Sequence, residues 1–158
     1  ILFTRTFGAI KLSPLWHWIQ ALGILGGYAA IALPIGFSQR FLQFKLWQAS
    51  QWQSALLSAR LFFMPALIEE FVFRVLLIPA PRAGVTEQAW AGWAMFSLLL
   101  FIAYHPINAK TFYKRGDPTF LNPVFLVLTG LLGIACTVAY LLTGSLLIIT
   151  LIHWIVVT

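Results

Sequence analysis

Four stretches of this chain, residues 15–37, 54–78, 88–104 and 122–142, are each long and apolar enough to cross a bilayer. A hydrocarbon core of about 30 Å needs about 20 mostly apolar residues in helical form. A fifth apolar stretch follows Thr143 and Gly144. It has about 15 residues, roughly 22 Å at 1.5 Å each, and falls short of a crossing. Trp16, His17 and Trp18 stand at the mouth of the first stretch as an interfacial belt, and Pro79 and Pro81 close the second. The expected fold is all-α, a polytopic transmembrane helical bundle with about five spans. It reads as one membrane-embedded domain over residues 1–158, with the chemistry in a core of about 54–158. The start at Ile1 and the apolar run into Thr158 read as cuts, with the C-terminus truncated.

Composition excludes the other classes. The chain is 61% apolar and 9% charged, where a soluble domain averages roughly 45–50% and about 25%. Disordered chains are charge-rich and aromatic-poor, whereas 16% of these residues are aromatic. Ten Lys and Arg against four Asp and Glu give +6, but the cations are scattered singly, so nucleic acid is not an expected partner. The expected partners are the lipid bilayer and a peptide or protein in or at it. The expected location is a multi-pass position in the cell (plasma) membrane. Cys136 has no second cysteine to pair with and reads as a buried, inert thiol.

Between the first two spans, residues 37–53 alternate Phe37, Phe41, Phe44 and Trp52 with Gln39, Arg40, Gln43, Lys45 and Gln51. That pattern predicts an amphipathic helix lying in the headgroup plane. Residues 108–118, with Lys110, Lys114, Arg115 and Asp117, predict an aqueous loop. Arg40, Lys45, Lys110, Lys114 and Arg115 fall on one side, against Arg5, Lys11 and Arg82 on the other. The positive-inside rule then makes the first side cytoplasmic, by five cations to three.

The informative residues are those that do not belong in hydrocarbon. Glu69 and Glu70 stand side by side in the second span, and Arg74 follows four residues after Glu70. Three mid-span charges cost about 9 kcal/mol, and the dozen or so strong apolar residues of 61–78 return about 5 kcal/mol. The segment must therefore turn its charged face to other helices or to water, and such residues mark a functional site by default. Glu70 and Arg74 share a helix face and can pair. Glu69 points about 100° away and lacks that partner. Pro65 removes a backbone N–H and clashes with the Leu61 carbonyl, predicting a kink beside the site. The bland alternative is an ion-pair cluster that only locks helix packing.

His105 ends the third span, where Pro106 predicts that the helix stops. His153 lies in the fifth. Short loops allow both to meet Glu69 from separate helices, whereas His17, between two tryptophans, reads as interfacial. A carboxylate in a low-dielectric cavity is suited to general-base work near neutral pH. Imidazoles beside it can stabilise an oxyanion or hold the water. Alternatively, Glu69, His105 and His153 form a ligand set that binds Zn2+ in hydrolases. Both readings lead to water attacking a carbonyl, and a metal cofactor stays open, either none or a divalent ion. Ser97, Ser145 and Cys136 show no nucleophile motif, and no Gly-rich phosphate loop exists.

These residues resemble a known family. Glu69, Glu70 and Arg74 fit the Glu-Glu-x-x-x-Arg signature of the CPBP intramembrane proteases, the CAAX-protease and bacteriocin-processing (Abi) family. Phe101 and His105 fit its Phe-x-x-x-His signature, and the turn at Thr143, Gly144 and Ser145 leading to His153 resembles its third region. The resemblance implies an all-helical membrane core and cleavage of peptide bonds, by prenyl-CAAX trimming in some relatives and by peptide processing or bacteriocin immunity in others. It implies that Glu69 activates water, that Glu70 and Arg74 support it, and that His105 and His153 hold the water or stabilise the oxyanion. Metal use in that family is itself divided between a metalloprotease and a glutamate-dependent description. The family's last motif often has Asn or Asp four residues after the histidine, where this chain has Val157, and a lost oxyanion donor costs roughly 10²–10³ in rate.

The expected activity is therefore that of an intramembrane endopeptidase. A non-catalytic scaffold or immunity protein of the same fold is the second reading, with Val157 as its support. A proton- or ion-coupled transporter using Glu69 and His105 is the third, disfavoured by the few spans and by the absence of two matching broken helices.

Overall fold

The computed structural model describes residues 2–10, 12–43, 50–81 and 83–158, with the backbone alone for 2–5. Among the described residues all regular structure is helical. A short α1, Leu2–Ala9, precedes the long α2, Leu15–Ser38. Helix α3, Gln51–Leu61, runs into a kinked stretch, Phe62–Leu67. One α-turn, α4, Ile68–Glu70, follows, and then a π-turn, Phe71–Leu76. Helix α5 is Glu87–Thr111, and a 3₁₀ turn, Lys114–Gly116, leads into α6, Asp117–Phe120. Helices α7, Pro123–Thr143, and α8, Leu146–Val157, complete the bundle.

Local chemistry sets most helix ends. Ser50 and Gln53 form a reciprocal capping box at α3, which satisfies two amide donors that a helix start leaves open. Thr86, Asn122 and Ser145 cap α5, α7 and α8 through their side chains, and Pro123 takes the first position of α7, where no amide is needed. The turn between α7 and α8 passes through Gly144 at φ 62°, a left-handed conformation that a side chain would strain.

Helix α7 is the hub, packing against α2, α5 and α8. Phe41, just past α2, meets Phe125 near the start of α7, so the two helices run antiparallel. Helix α5 also runs antiparallel to α7: His105 faces Phe125, and Phe101 faces Gly133. The core gathers small and branched side chains, among them Val75, Cys136, Ala139, Ile148 and Ile149. On the outside, Leu22, Leu99, Ile134 and Ile155 are exposed, as lipid-facing residues are.

Several expectations change in detail. Among the described residues three helices, α2, α5 and α7, are individually long and apolar enough to cross a membrane. The 54–78 stretch is apolar but not one helix. It breaks at Met64, whose φ of −143° and ψ of 108° are extended. The residue before a proline is pushed out of the helical region, so the break falls there. At Pro106 the outcome is the opposite: α5 continues for more than a turn beyond it, to Thr111. Prolines persist in apolar spans when neighbouring groups compensate the freed backbone. That continuation absorbs Lys110 into α5, and α6 takes Asp117, so the expected aqueous loop is mostly helical. In the expected headgroup-plane helix, 37 and 38 end α2, 39–43 form a turn and 51–53 begin α3. Its central residues, 44–49, lie outside the described ones.

Candidate active site

The broken segment from α3 to Leu76 carries both carboxylates and the guanidinium into the bundle. Glu70 and Arg74 are completely buried, and Glu69 is 8% exposed. Arg74 donates through Nη1 to Glu70 Oε1 at 3.2 Å and through Nη2 to the carbonyl of Gly133 on α7 at 3.1 Å. The guanidinium also lies 4.3 Å from the centre of the Phe101 ring, a favourable cation–π placement in a dry site. Gly133 is needed for this approach. A Cβ there would stand 2.5 Å from Leu98, and 3.1 Å from both Arg74 and Phe101.

The second partner of Glu70 comes from α8: His153 Nδ1 lies 2.7 Å from Oε1. One carboxylate oxygen thus receives both Arg74 and His153. Glu69 is held differently. Its Oε2 lies 3.9 Å from His153 Nε2 and 4.0 Å from His105 Nε2, and among the described residues this buried oxygen has no hydrogen-bond partner. The expected split between a paired and an unpaired carboxylate is the geometry found, and His105 and His153 converge on the unpaired one from two other helices.

Hydrogen bonding fixes how the rings face Glu69. His105 Nδ1 lies 2.9 Å from the carbonyl of Phe101. A carbonyl only accepts, so Nδ1 carries the hydrogen. His153 Nδ1 faces the carboxylate of Glu70 and donates in the same way. Each neutral ring therefore presents the Nε2 lone pair toward Glu69. Aromatic rings wall this space: Phe101, Tyr104, Phe120 and Phe125 all contact His105, and Phe101 also contacts His153. His17 is on α2 and takes no part.

The donor chemistry suits zinc, but the spacing does not. Ligand bonds of about 2.0–2.2 Å at a tetrahedral ion place neighbouring ligand atoms about 3.4 Å apart, closer than the separations around Glu69. Among the described residues no group of three His, Cys, Asp or Glu is drawn together to hold a metal ion.

Three contributors escaped the sequence reading. The bond from His153 to Glu70 joins residues 83 apart. Gly133 acts through its carbonyl and its lack of a side chain, and neither leaves a motif. Ser97, set aside as a nucleophile, is buried on α5 and donates its hydroxyl to the carbonyl of Phe73.

Apolar spans around a buried cluster of acid, guanidinium and imidazoles define an integral membrane protein with a candidate hydrolytic site. The chain belongs to the type II CAAX prenyl endopeptidase, Rce1-like, family, which it matches over residues 50–158. The match starts at the cap of α3 and takes in every site residue above. Among curated proteins, and among solved structures, nothing matches the chain.

Proposed function

We propose that this chain is an intramembrane endopeptidase of the cell membrane that cuts membrane-associated peptides in the manner of a CAAX prenyl protease. The observation that carries the reading is the meeting of Glu69, His105 and His153 from three helices around one unpartnered carboxylate oxygen. A water molecule hydrogen-bonded to Glu69 and to one ring at about 2.8 Å each spans a separation of this size with an angle near 90°.

In the reaction Glu69 removes a proton from that water while the water oxygen attacks the peptide carbonyl carbon. The Nε2 lone pair of one ring accepts the water's other hydrogen and orients it; a protonated ring donates instead to the carbonyl oxygen as its charge grows. When the C–N bond breaks, Glu69 returns its proton to the departing amine. Glu70 acts through His153, holding the ring in the tautomer and orientation that serve Glu69, and Arg74 neutralises Glu70.

The test is turnover of a panel of membrane-tethered peptides, with and without a prenylated cysteine, by purified wild type and Glu69→Gln, with metal content measured on the same samples. Removal of a general base costs roughly 10²–10⁴ in kcat, and that loss is expected in folded Glu69→Gln protein. Wild-type turnover by the variant overturns the reading. The non-catalytic alternative rests on Val157 in place of a polar side chain one turn past His153. It predicts that neither protein cleaves any peptide of the panel.

A further inference from the structure

The π-turn that carries Arg74 draws the next two amides away from the carbonyl of Phe73. Beyond the turn, the amides of Leu77 and Ile78 both bond to the carbonyl of Arg74. The carbonyl of Phe73, one residue earlier, is the acceptor for Ser97 from α5. Hydroxyls inside helices ordinarily turn back onto their own backbone four residues earlier. Thr111, Thr137 and Thr143 do so here, bonding Ile107, Gly133 and Ala139. Ser97 instead reaches across to another helix, at a site only 1% exposed.

We propose that Ser97 is a positioning residue: its hydroxyl caps the freed Phe73 carbonyl, fixes the widened turn, and so sets where Arg74 presents its guanidinium to Glu70 and, through Glu70, how His153 is held. The link is one residue long on the backbone, since Phe73 precedes Arg74. The same face of α5 continues the support at intervals of four. Ser97 holds the turn, Phe101 lies against the guanidinium and accepts from His105, and His105 faces Glu69. An unsatisfied carbonyl in this dry interior is costly, so losing the hydroxyl would shift the turn toward another pairing rather than leave it in place.

The consequence for catalysis rests on the endopeptidase reading; the consequence for geometry does not. The experiment therefore reads both. Wild type, Ser97→Ala, Ser97→Thr and Ser97→Val are prepared in bilayer discs with ¹⁵N-labelled histidine. Thr and Val have the same shape and differ by the hydroxyl. Ring-nitrogen signals of His153 are expected to move in Ser97→Ala and Ser97→Val and to stay near wild type in Ser97→Thr, with His17 unmoved throughout. In turnover, Ala and Val are expected to lower kcat by roughly tenfold to a hundredfold, the scale of a small misplacement, at unchanged KM, and Thr to restore most of it. Unchanged His153 signals in Ala and Val overturn the proposal whatever the rate. Equal changes in Thr and Val also overturn it, because they trace the effect to volume. Glu69→Gln run alongside keeps the two readings apart. If it turns over like wild type the endopeptidase reading falls, and the ring spectra still decide the role of Ser97.

Discussion

The two halves of the segment between Ser50 and Leu77 follow opposite rules. Helix α3 is regular, begins with a capping box and buries none of its residues. The half from Ala66 onward starts just past the break at Met64, passes through a single α-turn into a π-turn, and holds Glu69, Glu70, Phe73, Arg74 and Val75 in the interior. Local bonding shapes most of the first, with one tie from outside, Trp154 of α8 donating to the carbonyl of Ser58. The second departs from ideal helix geometry because partners on α5, α7 and α8 hold it: Ser97, Gly133 and His153 each bond to it from outside. π-turns are costly and gather at functional sites, and the contrast shows what sustains one here.

If that contrast is right, substitutions in the inner half cost far more than those in the outer half. The largest expected loss of stability is for Arg74→Ala, which leaves Glu70 buried without its cation. Breaking a buried pair in this way costs about 3–5 kcal/mol, read as a fall in thermal unfolding temperature in detergent. Arg74→Ala protein as stable as wild type would show that the inner half does not depend on the pair. Next is Gly133→Ala. Leu98 can swing away from the new methyl group, but Arg74 and Phe101 must each yield a few tenths of an ångström. Overpacking of this kind costs about 1–3 kcal/mol, and turnover is expected to fall more than stability does. The smallest effect is expected in the outer half. Ser50→Ala removes a cap worth about 1 kcal/mol with kcat unchanged, and a substantial loss of kcat there would erase the distinction between the halves.

The same contrast explains how much the sequence disclosed. Apolar length made the spans of α2, α5 and α7 legible, and a spacing of four made the pair of Glu70 and Arg74 legible, because both signals are local. Two motifs and a turn sufficed to identify the family. Pro106 misled because its local rule predicts a helix end, whereas α5 carries on through it. The kink that Pro65 predicts falls at Met64, one residue before the proline itself. What stayed hidden was carried by backbone carbonyls and distant partners: Gly133 accepting from Arg74, Phe73 from Ser97, Phe101 from His105. Any residue type offers a carbonyl, so the sequence cannot mark which ones are used.

The even interval between Ser97, Phe101 and His105 makes α5 a gauge as well as a span. Each residue added to or removed from a helix turns everything beyond it by about 100°. A single insertion or deletion between Ser97 and His105 would leave one end docked and swing the other out toward lipid. The outward-facing positions of α5 are free to change identity among apolar residues, but the count of residues between its two docking points is fixed.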